Sequence, residues 1–144
     1  MTLYDEDLVR WTFEQGAALR AGLVMVAELE HIAEILEDMG NSEMRIIERQ
    51  LARLLMRLLK WEYQPERRGN SWRGSIAGAR KAFARRAGSG ILVEHARAEF
   101  AWCYDLARDE ATAETGLDHD RFPHECPWTF EQVMDVTFYP CGPA

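Results

Sequence analysis

The densest grouping of side chains able to do chemistry lies between Lys60 and Arg73. Trp61, Tyr63 and Trp72 stand there among Lys60, Arg67, Arg68 and Arg73. Aromatic rings interleaved with cations can stack on nucleobases and hold phosphates. The same residues can also pin a corner. Trp61 and Trp72 each continue an apolar helical stripe, Gln64-Pro65 marks a turn, and the arginines can pair with Glu30, Glu34 or Glu66. Pinning is the commoner use of such a cluster, and spacing alone leaves the binding reading open.

The tail offers a second grouping. His119, His124 and Cys126 fall within eight residues, with Asp118 and Asp120 beside them. Zinc accepts such atoms. The spacing matches no finger, no HExxH helix and no paired CxxC, so no metal and no cofactor are expected. Cys103 lies on an apolar helical stripe and reads as a core thiol. Cys126 precedes Pro127 in a turn, and no sequence signature supplies the base or the depressed pKa that a reactive thiol needs. His31 and His95 are lone helical histidines. A four-helix di-metal site would need inward glutamates and Glu-x-x-His motifs, and it is set aside. No glycine-rich phosphate loop is present. No residue is therefore assigned a catalytic role.

Helices must position all of these residues, because apolar positions recur at spacings of three and four almost throughout. Helix one is expected from Asp5 to about Ala21, stopped by Gly22. Helix two runs from Val24 to Met39 with the stripe Leu29, Ile32, Ala33, Leu36 and Met39, and Gly40 reads as its C-cap. Helix three starts at Asn41 or Ser42. Its seam is Met44, Ile47, Leu51, Leu54, Leu58 and Trp61, and it ends near Gln64 because Pro65 follows. Helix four covers Asn70 or Ser71 to Ala87, with Trp72, Ile76, Ala79 and Phe83 inward. Arg73, Arg80, Lys81, Arg85 and Arg86 are expected mostly outward. Helix five begins at Ser89 or Gly90 and closes at Gly116. A short last helix follows Thr129, which forms a capping box with Gln132. The expected fold is all-α: an antiparallel bundle of about five helices plus a short C-terminal helix, in one domain over residues 1–144.

Length and composition agree. The 144 residues are 47% hydrophobic and 28% charged, enough for one core without disulfide or metal. Three cysteines without framework spacing fit free thiols in a reducing cytoplasm. Met1 to Asp7 carries three acids and no apolar run, so no secretory signal is expected. Arg53, Arg57 and Lys60 interrupt the longest apolar stretches, which excludes a membrane span.

Charge is distributed in blocks. Residues 1–44 carry a net −8, residues 45–88 a net +9 and residues 89–144 a net −8, against −7 for the whole chain. Helix two presents Glu30, Glu34 and Glu37, and helix three presents Arg45, Arg49, Arg53 and Arg57. If these helices were antiparallel neighbours joined at Gly40, the rows would neutralise each other along a shared edge.

One stretch, Lys60-Trp61-Glu62-Tyr63-Gln64-Pro65-Glu66-Arg67-Arg68 followed by Ser71-Trp72, resembles the bacterial domain-of-unknown-function family numbered twenty-nine. Trp11, Gln15, Leu19 and Arg20 resemble that family's first helix. Glu30, Ala33, Glu34, Glu37, Met39, Gly40 and Ser42 resemble its second helix and turn. Glu114-Thr115-Gly116-Leu117, Phe122-Pro123 and Cys126-Pro127 resemble its tail. The resemblance implies a compact helical protein and no established activity. His31 replaces a frequent Asn and Ile35 a frequent Glu, which argues against a shared acidic cluster on helix two.

Function then divides into three readings. The favoured one is a non-enzymatic cytoplasmic interaction module, with a protein partner or with itself. The alternative is an anion or nucleic-acid binder using the basic segment 45–88, with weak, salt-sensitive binding expected because the net charge is negative. An enzyme of another type is a distant third.

Overall fold

The computed structural model describes residues 2–88 and 90–140. Ser89 and Cys141 lie outside the described residues, so the helix start and the free thiol expected there do too. Among the described residues there are seven α-helices and no strand: α1 (Leu3–Glu6), α2 (Leu8–Ala21), α3 (Val26–Tyr63), α4 (Asn70–Ala87), α5 (Gly90–Ala98), α6 (Phe100–Thr115) and α7 (Phe130–Met134). Short 3-10 turns stand at Pro65–Arg67 and His119–Arg121. The all-α class holds, while the number and order of helices differ from five plus one.

Three differences have local causes. Helix one is split: Asp7 caps α2 by accepting the Arg10 backbone N–H at 3.1 Å, which leaves α1 as a single turn before it. Helices two and three are one helix, α3, of 38 residues that runs through Gly40. A glycine inside a helix costs about 1 kcal/mol against alanine, but unlike proline it removes no backbone donor, so the ladder continues. Both charged rows therefore lie along one helix, and the antiparallel neutralisation expected of them does not exist. Helix five is divided at Glu99, where ψ moves to 12°. The bonds from Glu99 N–H to His95 C=O and from Cys103 N–H to Glu99 C=O, both 2.9 Å, carry across the break.

The chain forms two compact units, Met1–Ser42 and Glu43–Ala144. The first contains α1, α2 and the start of α3. Its centre is Trp11, 3% exposed. The Trp11 indole N–H donates to Glu28 at 2.7 Å, Tyr4 stacks on His31 with ring centroids 4.1 Å apart, and the Tyr4 hydroxyl donates to Glu34 at 3.0 Å. Gly22 ends α2 in the left-handed conformation (φ 69°).

The second unit holds the larger core. Ile47, Leu51, Leu54, Leu55, Leu58, Leu59 and Trp61 of α3 are fully buried, as the seam predicts. They share one cluster with Ile76 and Phe83 of α4, Ala96 of α5, Cys103, Tyr104 and Ala107 of α6, and Phe122, Trp128, Phe130 and Val133 of the tail. The Thr129–Gln132 capping box opens α7 as expected. Three side chains strap the tail down. Tyr104 donates its hydroxyl proton to Pro123 C=O at 2.7 Å, and Arg108 donates to His119 C=O at 3.1 Å. Arg80 donates to Val133 C=O at 2.8 Å and Phe138 C=O at 2.6 Å. Arg80 is only 4% exposed, which corrects its expected outward position. It sits four residues after Ile76 and three before Phe83, on the inner stripe itself.

Candidate functional site

The basic-aromatic corner lies wholly within the second unit and is knit together internally. Trp61 is fully buried and packs against Tyr139, centroids 5.0 Å apart. Arg68 donates to Trp61 C=O at 2.6 Å and to Glu62 C=O at 3.2 Å, with its guanidinium 5.4 Å from the Trp61 ring centroid. The Arg73 guanidinium stands 5.7 Å from the same centroid. Lys60 donates to Glu114 at 2.9 Å and lies 5.1 Å from the half-buried Trp72 ring. Tyr63 meets Phe122 edge-on at 5.1 Å. Arg67 alone of the seven is exposed. These bonds cap the last carbonyls of α3, where Pro65 ends the helix, with cations suited to the negative end of its dipole.

An open groove of about 250 Å³ lies between α3 and α4, lined by Gln50, Arg53 and Arg57 on one side and Gly74, Ser75, Gly78, Ala79 and Ala82 on the other. Arg57 donates to Ser75 C=O at 3.1 Å. Burial beneath these side chains lowers the affinity of Arg57 for its proton, and neighbouring Arg53 adds to the effect.

The tail residues do not converge. His119 pairs with Asp109 at 2.9 Å, His124 is exposed, and Cys126 is half-buried. Burial pushes the Cys126 thiol up to about 11 and the Cys103 thiol up to about 12, the opposite of an activated nucleophile. One Glu-x-x-His spacing, of the kind for whose lack the di-metal site is set aside, does occur at Glu28 and His31, which corrects that ground. The Glu28 carboxylate is occupied by the Trp11 indole and lies 3.4 Å from His31. No group of three metal-ligating side chains forms among the described residues.

The site that sequence reasoning missed is an apolar seam on the first unit. Met25 immediately precedes α3, and Leu29, Ile32, Leu36 and Met39 follow at spacings of four, three, four and three. That is the heptad register of a helix that packs against another helix. The stripe was expected to face a core. Instead Met25 is 71% exposed, Leu29 52%, Leu36 63% and Met39 62%, with Ile32 half-buried. Val9 and Phe13 of α2 are exposed as well. Monomeric proteins rarely leave a contiguous apolar patch this open, and one rimmed by polar residues marks an interaction surface. Glu30 and Glu37, one heptad apart and both exposed, stand outside the stripe on the same helix.

The chain belongs to the family described as domain of unknown function DUF29, whose model matches residues 3–139. No curated protein and no solved structure matches it. Among the described residues, no helix is long and apolar enough to cross a membrane.

Proposed function

We propose that the protein is a non-enzymatic interaction module whose contact surface is the seam Met25, Leu29, Ile32, Leu36 and Met39. The observation that carries this reading is the exposure of a stripe in heptad register. Covering it would remove several large apolar side chains from water, each worth about 1.5–3 kcal/mol when fully buried. Internal cores already satisfy such stripes elsewhere in the chain, as the buried seam from Ile47 to Trp61 does. Co-purification from the native cell tests the reading, with proteins and nucleic acids both identified. Wild-type protein should retain a protein partner that Leu29→Asp/Leu36→Asp loses. Retention by the variant contradicts it.

A second reading is anion binding, favoured by the open Arg53–Arg57 groove more than by the Lys60–Arg73 corner. Arg68, Arg73 and Lys60 are engaged with Trp61, Trp72 and Glu114, which leaves Arg67 as the corner's exposed cation. RNA and DNA should bind weakly at physiological salt. Sub-micromolar affinity lost in Arg53→Ala/Arg57→Ala would promote this reading over the first.

A further inference from the structure

We infer that the second unit holds a binding site for a small amphiphile with a carboxylate head, separate from the seam and independent of it. The site is a cleft of about 550 Å³ walled by α4, α5 and α7. Pockets that take small molecules run from about 300 to 1,000 Å³, are mostly apolar and carry a few polar groups that orient the ligand. This cleft has that make-up. Phe83 and Ala87 of α4, Val93 of α5, and Phe130 and Met134 of α7 line it, and Val136, 74% exposed, completes the apolar wall. That wall is set in advance. Arg80, 4% exposed, donates to Val133 C=O at 2.8 Å and Phe138 C=O at 2.6 Å. These bonds fix the segment that carries Met134 and Val136, so a ligand need not order it.

Charge sets the class of ligand. Only Arg80 and Lys81 among the lining residues carry charge, and both are cations. The acids near the cleft in sequence, Glu94, Glu131 and Asp135, do not line it. Glu131 pairs with Arg97, and Asp135 accepts from the Thr137 backbone N–H at 2.9 Å and its hydroxyl at 2.7 Å. Helix α4 itself contains five cations and no acid. Arg80 is committed to the tail carbonyls. Lys81 is exposed, and no hydrogen bond or ion pair engages it among the described residues. A negative head at Lys81 meets attraction and an ammonium meets repulsion. One uncommitted cation matches the single charge of a carboxylate better than the near-double charge of a phosphate. The tail then lies over Phe83, Ala87 and Phe130. About 10 Å of helix axis separates Lys81 from Gly88, the last lining residue of that side, which suits an alkyl chain of medium length.

The probes are decanoate, decanol and decylammonium, which share one tail and differ in head charge. Each is titrated into the full chain by calorimetry at pH 7, below its micelle concentration. Decanoate should bind most tightly. Decylammonium should bind about tenfold more weakly, because attraction at Lys81 gives way to repulsion. Lys81→Glu should erase that preference and leave decanol unchanged. Ala84 lines the cleft and is exposed, so Ala84→Trp should fill the cleft and abolish binding of all three, with helicity and melting temperature kept. Val136→Asp, at another exposed lining position, should weaken decanoate too and carries the test if Ala84→Trp melts early. Leu36→Asp, on the seam of the first unit, should bind decanoate as the wild type does. Equal affinity for decanoate and decylammonium overturns the carboxylate ligand. Binding that survives both Ala84→Trp and Val136→Asp, or that Leu36→Asp removes, puts the amphiphile elsewhere and overturns the site. Absence of decanoate binding overturns the inference and leaves the seam untouched.

Discussion

The indole N–H of Trp11 on α2 and the carboxylate of Glu28 on α3 meet at 2.7 Å, and this bond holds the first unit around the buried Trp11 side chain. The same carboxylate reaches His31, whose ring is stacked by Tyr4. Trp11→Phe keeps most of the packing and strands the carboxylate. A hydrogen bond to a charged group contributes about 1.5–3 kcal/mol. Amide exchange across residues 3–39 should therefore accelerate in this variant while residues 47–61 keep their protection. Equal acceleration in both segments would show that the two units unfold as one.

Arg80 makes a different prediction. Its guanidinium is held by backbone carbonyls of the tail, and burial lowers its proton affinity. Arg80→Met fills similar volume but leaves the Val133 and Phe138 carbonyls without this donor. The cost should be about 3 kcal/mol or more. Limited proteolysis should then cut after residue 133, where the wild-type tail resists. Unchanged melting and unchanged cleavage would mean that water replaces the guanidinium without loss.

Much of this was legible as pattern and less of it as environment. The seam from Ile47 to Trp61, the end of α3 at Pro65 and the box at Thr129 follow from spacing and punctuation that need no tertiary information. Gly40 misled because a C-cap glycine and a tolerated interior glycine look alike in sequence. The register does change there, since the step from Met39 to Met44 is five, but a phase change need not break a helix. The stripe from Leu29 to Met39 named an apolar face without saying what covers it. Arg80 could have been found from its position between Ile76 and Phe83, where a long cation can only stay by reaching backbone oxygens. The corner's residues were legible, but the inward turn of Arg68 and Arg73 onto Trp61 was not, because composition does not record which way a cation points.

Alkaline pH should destabilise the fold. Burial raises Cys103 from an ordinary 9.0 to about 12 and Cys126 to about 11, and it raises the Tyr104 phenol well above 10.0. In the unfolded chain these groups release their protons near their ordinary values. Above about pH 9 the folded state thus binds more protons than the unfolded one, and stability falls as pH rises toward the folded values. Urea midpoints measured from pH 7 to 11 should be flat to about pH 8.5 and decline beyond it. Cys103→Ala should flatten part of that decline. A midpoint that rises with alkalinity would contradict the burial of these groups.

Trp61→Ala tests the corner as a structural element. Removing a fully buried tryptophan costs about 3–5 kcal/mol, and it also removes the ring faced by Arg68 and Arg73. The melting temperature should drop sharply. A variant that melts with the wild type would return Trp61 to the stacking role.

The Met25–Met39 stripe is proposed as an open contact surface, not as part of the core. The thermal melt of Leu29→Asp/Leu36→Asp measures this most directly. Exposed substitutions usually change stability by less than about 0.5 kcal/mol each, whereas two carboxylates forced into a core would unfold a domain of this size. The melting temperature should stay within about 3 °C of wild type, with helicity intact. A fall of about 10 °C or more would show that the stripe is buried in the isolated chain and is not a contact surface.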